Sequence, residues 1–397
     1  MSQRTEFCIL ASKPGSNVSA LCKRFNITRR TGYKWLERYF KDGLPGLLDN
    51  SKRPHHFPNQ TPAGIEKYVI DIRGDNQEWG SKKLHKIISN HKEQGLYTYP
   101  TIPCRSTISK ILKRNGLIPT NRTSQSESFE RFEYDYPNEL WQMDYKGYFK
   151  LLNRELCHPL TITDDHSRFN ICLEACKNQQ EITVRQALIS VFRKYGLPCM
   201  ILTDNGSPWG PAGNESADGI RCYTTLEKWL IQLNIKLIHG RPYHPQTQGK
   251  EERFHKTLKQ ELIDHEQFRD YVHCQKRFDV WREKYNCIRP HEALNFRTPA
   301  ELYIPSIKTY PEKINNYEYN LSDIKRKVQD KGIISFKNRE FKVGRAFVGE
   351  YVALRKLQKN NIYEIYFCNQ LIRTITLYYL LHLICEDSKL FQNTELL

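Results

Sequence analysis

Apolar residues near the start of the chain recur every three or four positions in two short runs, which predicts two helices. The first would bury Val18, Leu21 and Phe25, and the second Tyr33, Leu36 and Tyr39. Asn26, between the runs, tolerates the left-handed conformation of a tight turn, and Thr28 suits the N-cap of the second helix. The pattern is that of a helix-turn-helix unit.

Basic side chains would project from the second of these helices. Arg29, Arg30 and Lys34 follow Thr28 closely, so all four could meet the phosphates or base edges of DNA. The alternative is an ordinary helical hairpin with a solvated basic face. Residues 63–118 contain further helical segments, among them WGSKKLHKIISN and STISKILKRNGL, and predict a second helical DNA-binding unit.

From residue 140 the hydrophobic pattern changes to that of a mixed sheet. LWQMDYKGYFK, HPLTITDD and RFNICLEA are three consecutive predicted strands, and a helix over residues 181–195 would end at Gly196. CMILTDNG and IKLIHG are buried strands separated by the helical EKWLIQLN, and a long helix begins near QTQGKEERFHKTLK. Strands that first meander and then alternate with helices indicate a mixed sheet covered by helices.

The last part of the chain alternates in short strands, with Asn338 in a hairpin turn, and predicts a small basic antiparallel β-barrel. The expected architecture is therefore multidomain α/β. Its segments are a helix-turn-helix at 1–45, a linker at 46–62, the second helical unit at 63–118, a linker at 119–138, a mixed-sheet core at 139–304, a linker at 305–323, the barrel at 324–377 and a tail of unknown role at 378–397.

The charge balance points to a polyanionic partner. The 397 residues include 61 Lys and Arg against 44 Asp and Glu, a net charge of +17. Nucleic acid is the expected partner, although a membrane surface or a generally basic proteome would give the same excess. The 12 cysteines form no Cys-x-x-Cys pair, which favours reduced thiols in the cytosol over a disulfide framework or a zinc site.

Three acidic residues stand out against this basic background. Alternation along the first core strand separates Asp144 from Met143 and Tyr145, Asp204 ends a buried strand, and Glu252 begins the long helix. Carboxylates are ligands for Mg²⁺ or Mn²⁺, and two such ions can support phosphodiester cleavage. Taken singly, each acid has a simpler interpretation, as an edge residue, a turn residue or a helix-dipole partner.

The strings WQMDYKG, LTDNGSPW, RPYHPQTQGKEERFHKTLKQEL and RPHEALNFRTPAEL together resemble the DDE transposases of bacterial insertion sequences and the related retroviral integrases. The resemblance covers most of the chain. It implies an RNase H-like core in which Asp144, Asp204 and Glu252 are catalytic and bind two divalent metal ions, Mg²⁺ or Mn²⁺. The family's Gln-Gly-x-x-Glu spacing selects Glu252 as the third acid.

The same resemblance assigns DNA-binding roles on the long helix. Lys256 and Lys259 match lysines that hold the element-end DNA, and Gln248 matches a flexible-loop residue near it. Helix geometry places Lys256 and Lys259 on the face of Glu252, although a solvated Lys/Glu face would look the same. Glu251 falls beside Phe254 and Leu258, where the family often has an apolar residue, and is expected to weaken local packing.

The implied function is transposition in two metal-dependent steps. Water would cleave a phosphodiester at the element end, and the released 3′-hydroxyl would attack target DNA. The expected partners are the terminal inverted repeats, the target DNA and further copies of the chain, as a dimer or tetramer. The expected location is the bacterial cytoplasm, at the nucleoid, without a membrane. The alternatives are an inactive DNA-binding repressor or decayed element protein, and an RNase H-like nuclease.

Overall fold

The computed structural model describes residues 2–49, 60–118, 133–206, 208–210, 221–240, 249–357 and 361–377. These residues divide into two compact units, Met1–Pro62 and Ala63–Leu397. Gln248, most of the segment inserted after Asp204 and the tail over residues 378–397 lie outside the described residues.

The first unit is a small helical bundle. Its elements are α1 (Gln3–Ala11), α2 (Val18–Arg24), α3 (Arg29–Asp42) and a 3₁₀ turn at Leu44–Leu47. Asn26 has a φ of 51°, and the Thr28 hydroxyl accepts a hydrogen bond from the Thr31 N–H, so the predicted turn and N-cap are confirmed. Helix α1 was not expected, because its apolar residues run consecutively to Ala11 and show no helical period.

The buried stripe of α3 differs from the predicted one. Tyr33 is 59% exposed, so its predicted place in the core is wrong. Gly32 lies in the core instead, and an added Cβ there would stand 2.6 Å from the Cys22 Sγ atom. The absence of a side chain at Gly32 lets α2 and α3 approach closely, which moves the buried stripe away from Tyr33 toward Leu36 and leaves Tyr39 partly buried.

The second unit begins with three helices, α4 (Ala63–Asp75), α5 (Ser81–Glu93) and α6 (Arg105–Arg114). Their shared core includes Val69, Leu84, Ile88 and Ile108, and Trp79 from the α4–α5 loop. The Trp79 indole N–H donates to the Glu261 carboxylate at 3.2 Å, so this helical region is hydrogen-bonded to the part of the chain that follows.

A mixed sheet forms the centre of the second unit. Its elements are β1 (Leu140–Tyr145), β2 (Phe149–Lys150), β3 (Leu156–Asp164), β4 (Asn170–Cys176), α7 (Glu181–Tyr195), β5 (Met200–Thr203), α8 (Thr225–Gln232) and β6 (Lys236–His239). The strand order is β2-β3-β1-β5-β6, with β4 paired to β3. Strand β1 pairs antiparallel with β3 and parallel with β5, which confirms the predicted mixed sheet.

Helices cover both faces of this sheet. Helices α7 and α8 pack on the face that presents Trp141, Met143, Leu160 and Ile162. The opposite face is covered by α9 (Gly249–Leu258), continued as a π-helical turn at Lys259–Ile263, and by α10 (Tyr271–Glu283), continued at Lys284–Ile288. Because residues alternate along a strand, Asp144 and Thr161 belong to the face covered by α9.

The C-terminal region is built from antiparallel strands around a separate apolar core. The strands are β7 (Ile324–Lys327), β8 (Ile333–Phe336), β9 (Arg339–Lys342), β10 (Tyr351–Lys356), β11 (Ile362–Phe367) and β12 (Gln370–Thr376). One sheet has the order β12-β11-β10-β7, and β8 and β9 form a hairpin. Lys337 and Asn338 both have positive φ in the β8–β9 turn, as predicted for Asn338.

A helix that spans a bilayer has to be both long and apolar. None of the described helices meets both requirements.

Candidate active site

Two of the three predicted acids lie at one edge of the central sheet. Asp144 is near the end of β1, and Asp204 directly follows β5. The parallel register pairs Gln142 with Leu202, and its continuation brings Asp144 and Asp204 side by side. Glu252 lies in the first turn of α9, the helix that covers this face of the sheet.

The electrostatics of Asp144 reflect this arrangement. Burial, together with the charges of Asp204 and Glu252, raises its carboxyl pKa to about 7, against a hydrogen bond from the Tyr145 N–H that lowers it. Burial also raises the pKa of Asp204, opposed by a hydrogen bond from the Trp209 indole and by His239. The three acids therefore interact electrostatically, although they are far apart in the sequence.

The donor set suits a divalent cation. Carboxylate oxygens are the ligands that Mg²⁺ and Mn²⁺ prefer, and the Asp204 Oδ1 atom is buried without a hydrogen-bond partner among the described residues. A bound cation would supply that partner and relieve the repulsion at Asp144. As the side chains are placed, no group of three or more acids, histidines or cysteines within the described ranges is arranged to hold a metal ion.

Glu251, beside Glu252, occupies a polar pocket in the interface between α9 and β3. It is 1% exposed, and its carboxyl accepts hydrogen bonds from the hydroxyls of Thr161, at 3.1 Å, and Thr163. Burial raises its pKa to about 8, against those hydrogen bonds. Strand β3 thus supplies two hydroxyl donors for this carboxyl, where an apolar wall would have left it unsatisfied, and the weakened packing expected at Glu251 stays a prediction.

His255, one turn after Glu251 on α9, lies between the carboxylates of Glu251 and Asp144. Its Nε2 atom is 2.8 Å from the Thr161 hydroxyl and 3.7 Å from the Glu251 carboxylate, and its Nδ1 atom is 3.8 Å from the Asp144 Oδ2 atom. Burial, and then Lys146, lowers its pKa to about 3. The ring is consequently neutral near pH 7, and these are polar contacts and not ion pairs.

The start of α9 is fixed to the sheet by a second buried acid. The Lys250 ammonium donates to Asp165 at 2.6 Å, and Gln142 donates to the same carboxylate at 2.6 Å.

Sequence reasoning did not select Asp165, His255 or Thr161. The doubled acid in TITDDHS and the threonines at alternate positions were the available signals, but neither shows which helix lies opposite.

The predicted DNA-binding lysines of α9 are exposed. Lys256 follows Glu252 by one helical turn, and Lys259 begins the π-helical turn, where the ordinary helical spacing ends. Burial of Lys146, and then the charge of Lys259, lowers the Lys146 pKa, so a further cation directly after β1 lies close to this face. Gln248 lies outside the described residues.

The remaining predicted DNA contacts belong to the first unit. Arg29, Arg30 and Lys34 are exposed on α3, while Thr28 is exposed and uses its hydroxyl as the helix cap. Three exposed cationic side chains on one helix form a surface suited to a phosphate backbone. These residues belong to the first compact unit, and Asp144 belongs to the second.

Comparison with known families and proteins agrees with this organisation. An integrase core domain family matches residues 135–245, and a second family of the same description matches 233–299. The IS481 family transposase C-terminal domain matches 323–378, and homeodomain-like domain families match 3–48 and 31–112. The homeodomain-like matches confirm the prediction of N-terminal helix-turn-helix units.

Similar proteins cover most of the chain. An insertion element IS407 uncharacterized 31.7 kDa protein of Burkholderia multivorans is 23% identical, covering 72% of this chain and 93% of that protein. An insertion element IS476 uncharacterized 39.2 kDa protein of Xanthomonas euvesicatoria is 23% identical, covering 72% and 78%. A solved simian T-cell lymphotropic virus intasome in complex with a PP2A regulatory subunit, B56 gamma, is 16% identical with a TM-score of 0.35, covering 73% of this chain and 99% of that chain.

These matches have the same order along the chain as the regions described above, from homeodomain-like helices through an integrase core to a transposase C-terminal domain. The chain is therefore similar to insertion-element proteins over most of its length, and it contains an integrase-like core and a region that matches a transposase C-terminal domain.

Proposed function

We propose that this chain is the transposase of a bacterial insertion sequence, and that it cleaves the element ends and joins them to target DNA. The observation that carries the proposal is the electrostatic coupling of Asp144 to Asp204 and Glu252 at one sheet edge. Divalent cations would neutralise the repulsion between Asp144 and the other two acids. This supports assigning the three residues as the catalytic acids and the ligands of Mg²⁺ or Mn²⁺.

The chemistry needs two in-line displacements. Water attacks a phosphorus atom at the element end, the bond to the 3′ oxygen breaks, and the element keeps a 3′-hydroxyl. That hydroxyl attacks a phosphorus atom of the target, and the target's 3′ oxygen leaves. Two metal ions would activate the attacking oxygen and stabilise the leaving one. Asp144, Asp204 and Glu252 would hold those ions, and no covalent enzyme intermediate is required.

The exposed cations would bind and orient the DNA. Lys256, on α9, and Lys259, at the start of the π-helical turn that continues it, would hold the phosphates of the element end beside the acids. In the first unit, Arg29 and Arg30 would contact the terminal repeats from α3. The basic C-terminal region would add phosphate contacts that do not depend on sequence, which suits a loosely chosen target. Because two ends must be joined together, we further propose that the active form contains two or more copies of the chain.

The direct test is a cleavage and joining assay on the element's own ends. Inverted repeats that bracket the gene supply the duplex, which is labelled at its 5′ end and incubated with the full chain and Mg²⁺. We expect a shortened strand and joined products, both lost in EDTA and in Asp144→Asn. The matched control is Asp71→Asn, which changes an exposed aspartate on α4 and should leave both products unchanged.

The same assay distinguishes the other functions. Specific binding of the end duplex without cleavage by the wild-type chain would indicate a repressor or a decayed element protein. Digestion of an RNA–DNA hybrid without end joining would indicate an RNase H-like nuclease. Either result would overturn the proposal, whereas Mg²⁺-dependent joining that requires Asp144 would support it.

A further inference from the structure

Glu251 lies next to the proposed catalytic acids but faces away from solvent. Its neighbour Glu252 is exposed, whereas Glu251 points into the sheet toward Thr161 and Thr163. Neither the proposed two-step chemistry nor DNA binding uses a buried carboxyl at this position. An apolar side chain would pack there at lower desolvation cost, so the carboxyl requires a specific explanation.

Thr161 connects Glu251 to Asp144. It is the cross-strand partner of Asp144 in the β1–β3 pair, so the two side chains share one face of the sheet. The Thr161 hydroxyl is 3.0 Å from the Asp144 carbonyl oxygen, 3.1 Å from the Glu251 carboxylate and 2.8 Å from His255 Nε2. A hydroxyl donates one proton and accepts through its oxygen, so when Thr161 donates to the Glu251 carboxylate it can accept from the Nε2–H of His255. The orientation of the His255 ring therefore depends on Thr161 and, through it, on Glu251.

His255 completes the connection on the other side of its ring. With Nε2 at the Thr161 hydroxyl, Nδ1 faces the Asp144 Oδ2 atom at 3.8 Å. The ring is 14% exposed at its side chain, and its neighbour Phe254 packs against Trp281 and Tyr285, which fixes this turn of α9 on the sheet. The carboxylate of Asp144 is therefore bounded by an imidazole whose orientation depends on Thr161 and Glu251.

We propose that Glu251 is a positioning residue that, through Thr161, holds the His255 ring against the Asp144 carboxylate. This inference rests on the proposed function, because it gives Glu251 a role in aligning a catalytic acid. Glu251 itself does not contact DNA, a metal ion or the reacting atoms. The alternative is a purely structural role, in which the two threonines satisfy the hydrogen bonds of the buried Glu251 carboxyl and Glu251 has no influence on the site.

Two substitutions separate positioning from packing. Glu251→Gln keeps the size and can still pair with both threonines, its carbonyl oxygen accepting from one hydroxyl and its amide N–H donating to the other. Glu251→Leu supplies the apolar side chain that packing alone would favour. Removing a residue that orients a metal ligand from behind typically lowers metal affinity or activity by about 10- to 100-fold. We expect Glu251→Leu to join DNA ends about 10- to 100-fold more slowly, with unchanged affinity for the end duplex, and Glu251→Gln to retain most of the wild-type rate.

A matched control is available at Glu227, a second fully buried glutamate, on α8. Glu227→Gln should leave the joining rate unchanged, because its ion-pair partner is Arg221 and not a residue of the site. Should Glu251→Leu fold poorly, Thr163→Val removes one hydrogen bond to the Glu251 carboxyl without touching Thr161. Thr163→Val is then expected to lower the rate of DNA joining, by less than the factor expected for Glu251→Leu.

A spectroscopic measurement on the metal-free protein tests the ring position without activity. With ¹⁵N-labelled histidine, and the signal assigned by its loss in His255→Asn, the ring of His255 should show a single neutral tautomer in the wild type and in Glu251→Gln. Glu251→Leu should give averaged ring nitrogen signals.

The outcomes are distinct. A wild-type chain that joins no ends contradicts the proposed function, whereas a fixed tautomer lost only in Glu251→Leu supports the positioning role on its own. A wild-type chain that is active, together with an equally active Glu251→Leu, overturns the inference and leaves the function in place. An unchanged His255 signal in Glu251→Leu overturns it as well, whatever the rate.

Discussion

The stability of the second unit should depend on pH through one buried glutamate outside the active site. Glu227 is 1% exposed in the first turn of α8, and its carboxylate accepts a hydrogen bond from the Arg221 guanidinium at 2.6 Å. Burial raises its pKa to about 7, although Arg221 and the Thr224 N–H both lower it. Desolvation therefore outweighs the ion pair, which has one half-exposed partner and is worth little by itself.

The magnitude follows from the two proton equilibria. The pKa rises from 4.5 to about 7 on folding, and each tenfold change in a proton equilibrium is worth about 1.4 kcal/mol, so the difference is on the order of 3 kcal/mol. Because the folded pKa is above the unfolded one, this contribution to stability is fully present below pH 4.5. It is lost as the pH rises toward 7, where the folded protein also loses the proton.

The comparison that isolates Glu227 uses Glu227→Gln, which stays neutral at every pH. Urea unfolding in EDTA at pH 4.5 and pH 7.5 gives four free energies of unfolding, and other titrating groups cancel in the difference between the two proteins. We expect the variant to gain about 3 kcal/mol relative to the wild type between the two pH values. A relative gain by the wild type would show that the pair with Arg221 dominates and would refute the argument.

Four further substitutions test other parts of the structure. Leu258→Ala, on the buried face of α9, should lower the free energy of unfolding by about 2–5 kcal/mol in urea titrations. By contrast, Lys256→Ala on its exposed face should change stability by under about 0.5 kcal/mol and reduce the salt dependence of DNA binding by about one ion. Arg30→Ala should weaken binding of the end duplex in gel-shift titrations without lowering the melting temperature. Trp79→Phe removes a hydrogen bond to Glu261, which Arg289 still pairs, and also replaces a buried ring by a smaller one. Its stability cost should therefore be at least about 1 kcal/mol, and an unchanged urea midpoint would contradict the contact.

Local features of the fold were readable from the sequence because they depend on neighbouring residues. Asn26 has the left-handed conformation expected at a tight turn, and Gly196, with a φ of 78°, ends α7 where it was predicted to. Even at Gly196 the structure adds a reason that the sequence does not contain. An added Cβ would stand 2.6 Å from the carbonyl oxygen of Ser306, so the chain after the core also requires glycine there.

Long-range features could not be read in the same way. Alternation along β3 shows that Thr161 and Thr163 share a face, but it does not identify the helix that covers them. Helical spacing likewise places Glu251 beside the apolar residues of α9 without showing what lies opposite. The match between a glutamate and two threonines some 90 residues away depends on how the helix docks on the sheet, which neither periodicity specifies.

Helix α9 illustrates why a single substitution there has to be interpreted together with the strand beneath it. Glu252 faces the exposed side, Phe254 and Leu258 are buried in an aromatic-rich core, and Glu251 is buried against the threonines of β3. A carboxyl would be costly in the apolar part of that interface, and a leucine at position 251 would leave the Thr163 hydroxyl without its carboxyl acceptor. Glu251 and the two threonines are thus one packing unit, and because Thr161 also contacts the Asp144 strand and His255, the same unit that docks α9 controls the surroundings of the proposed catalytic acid.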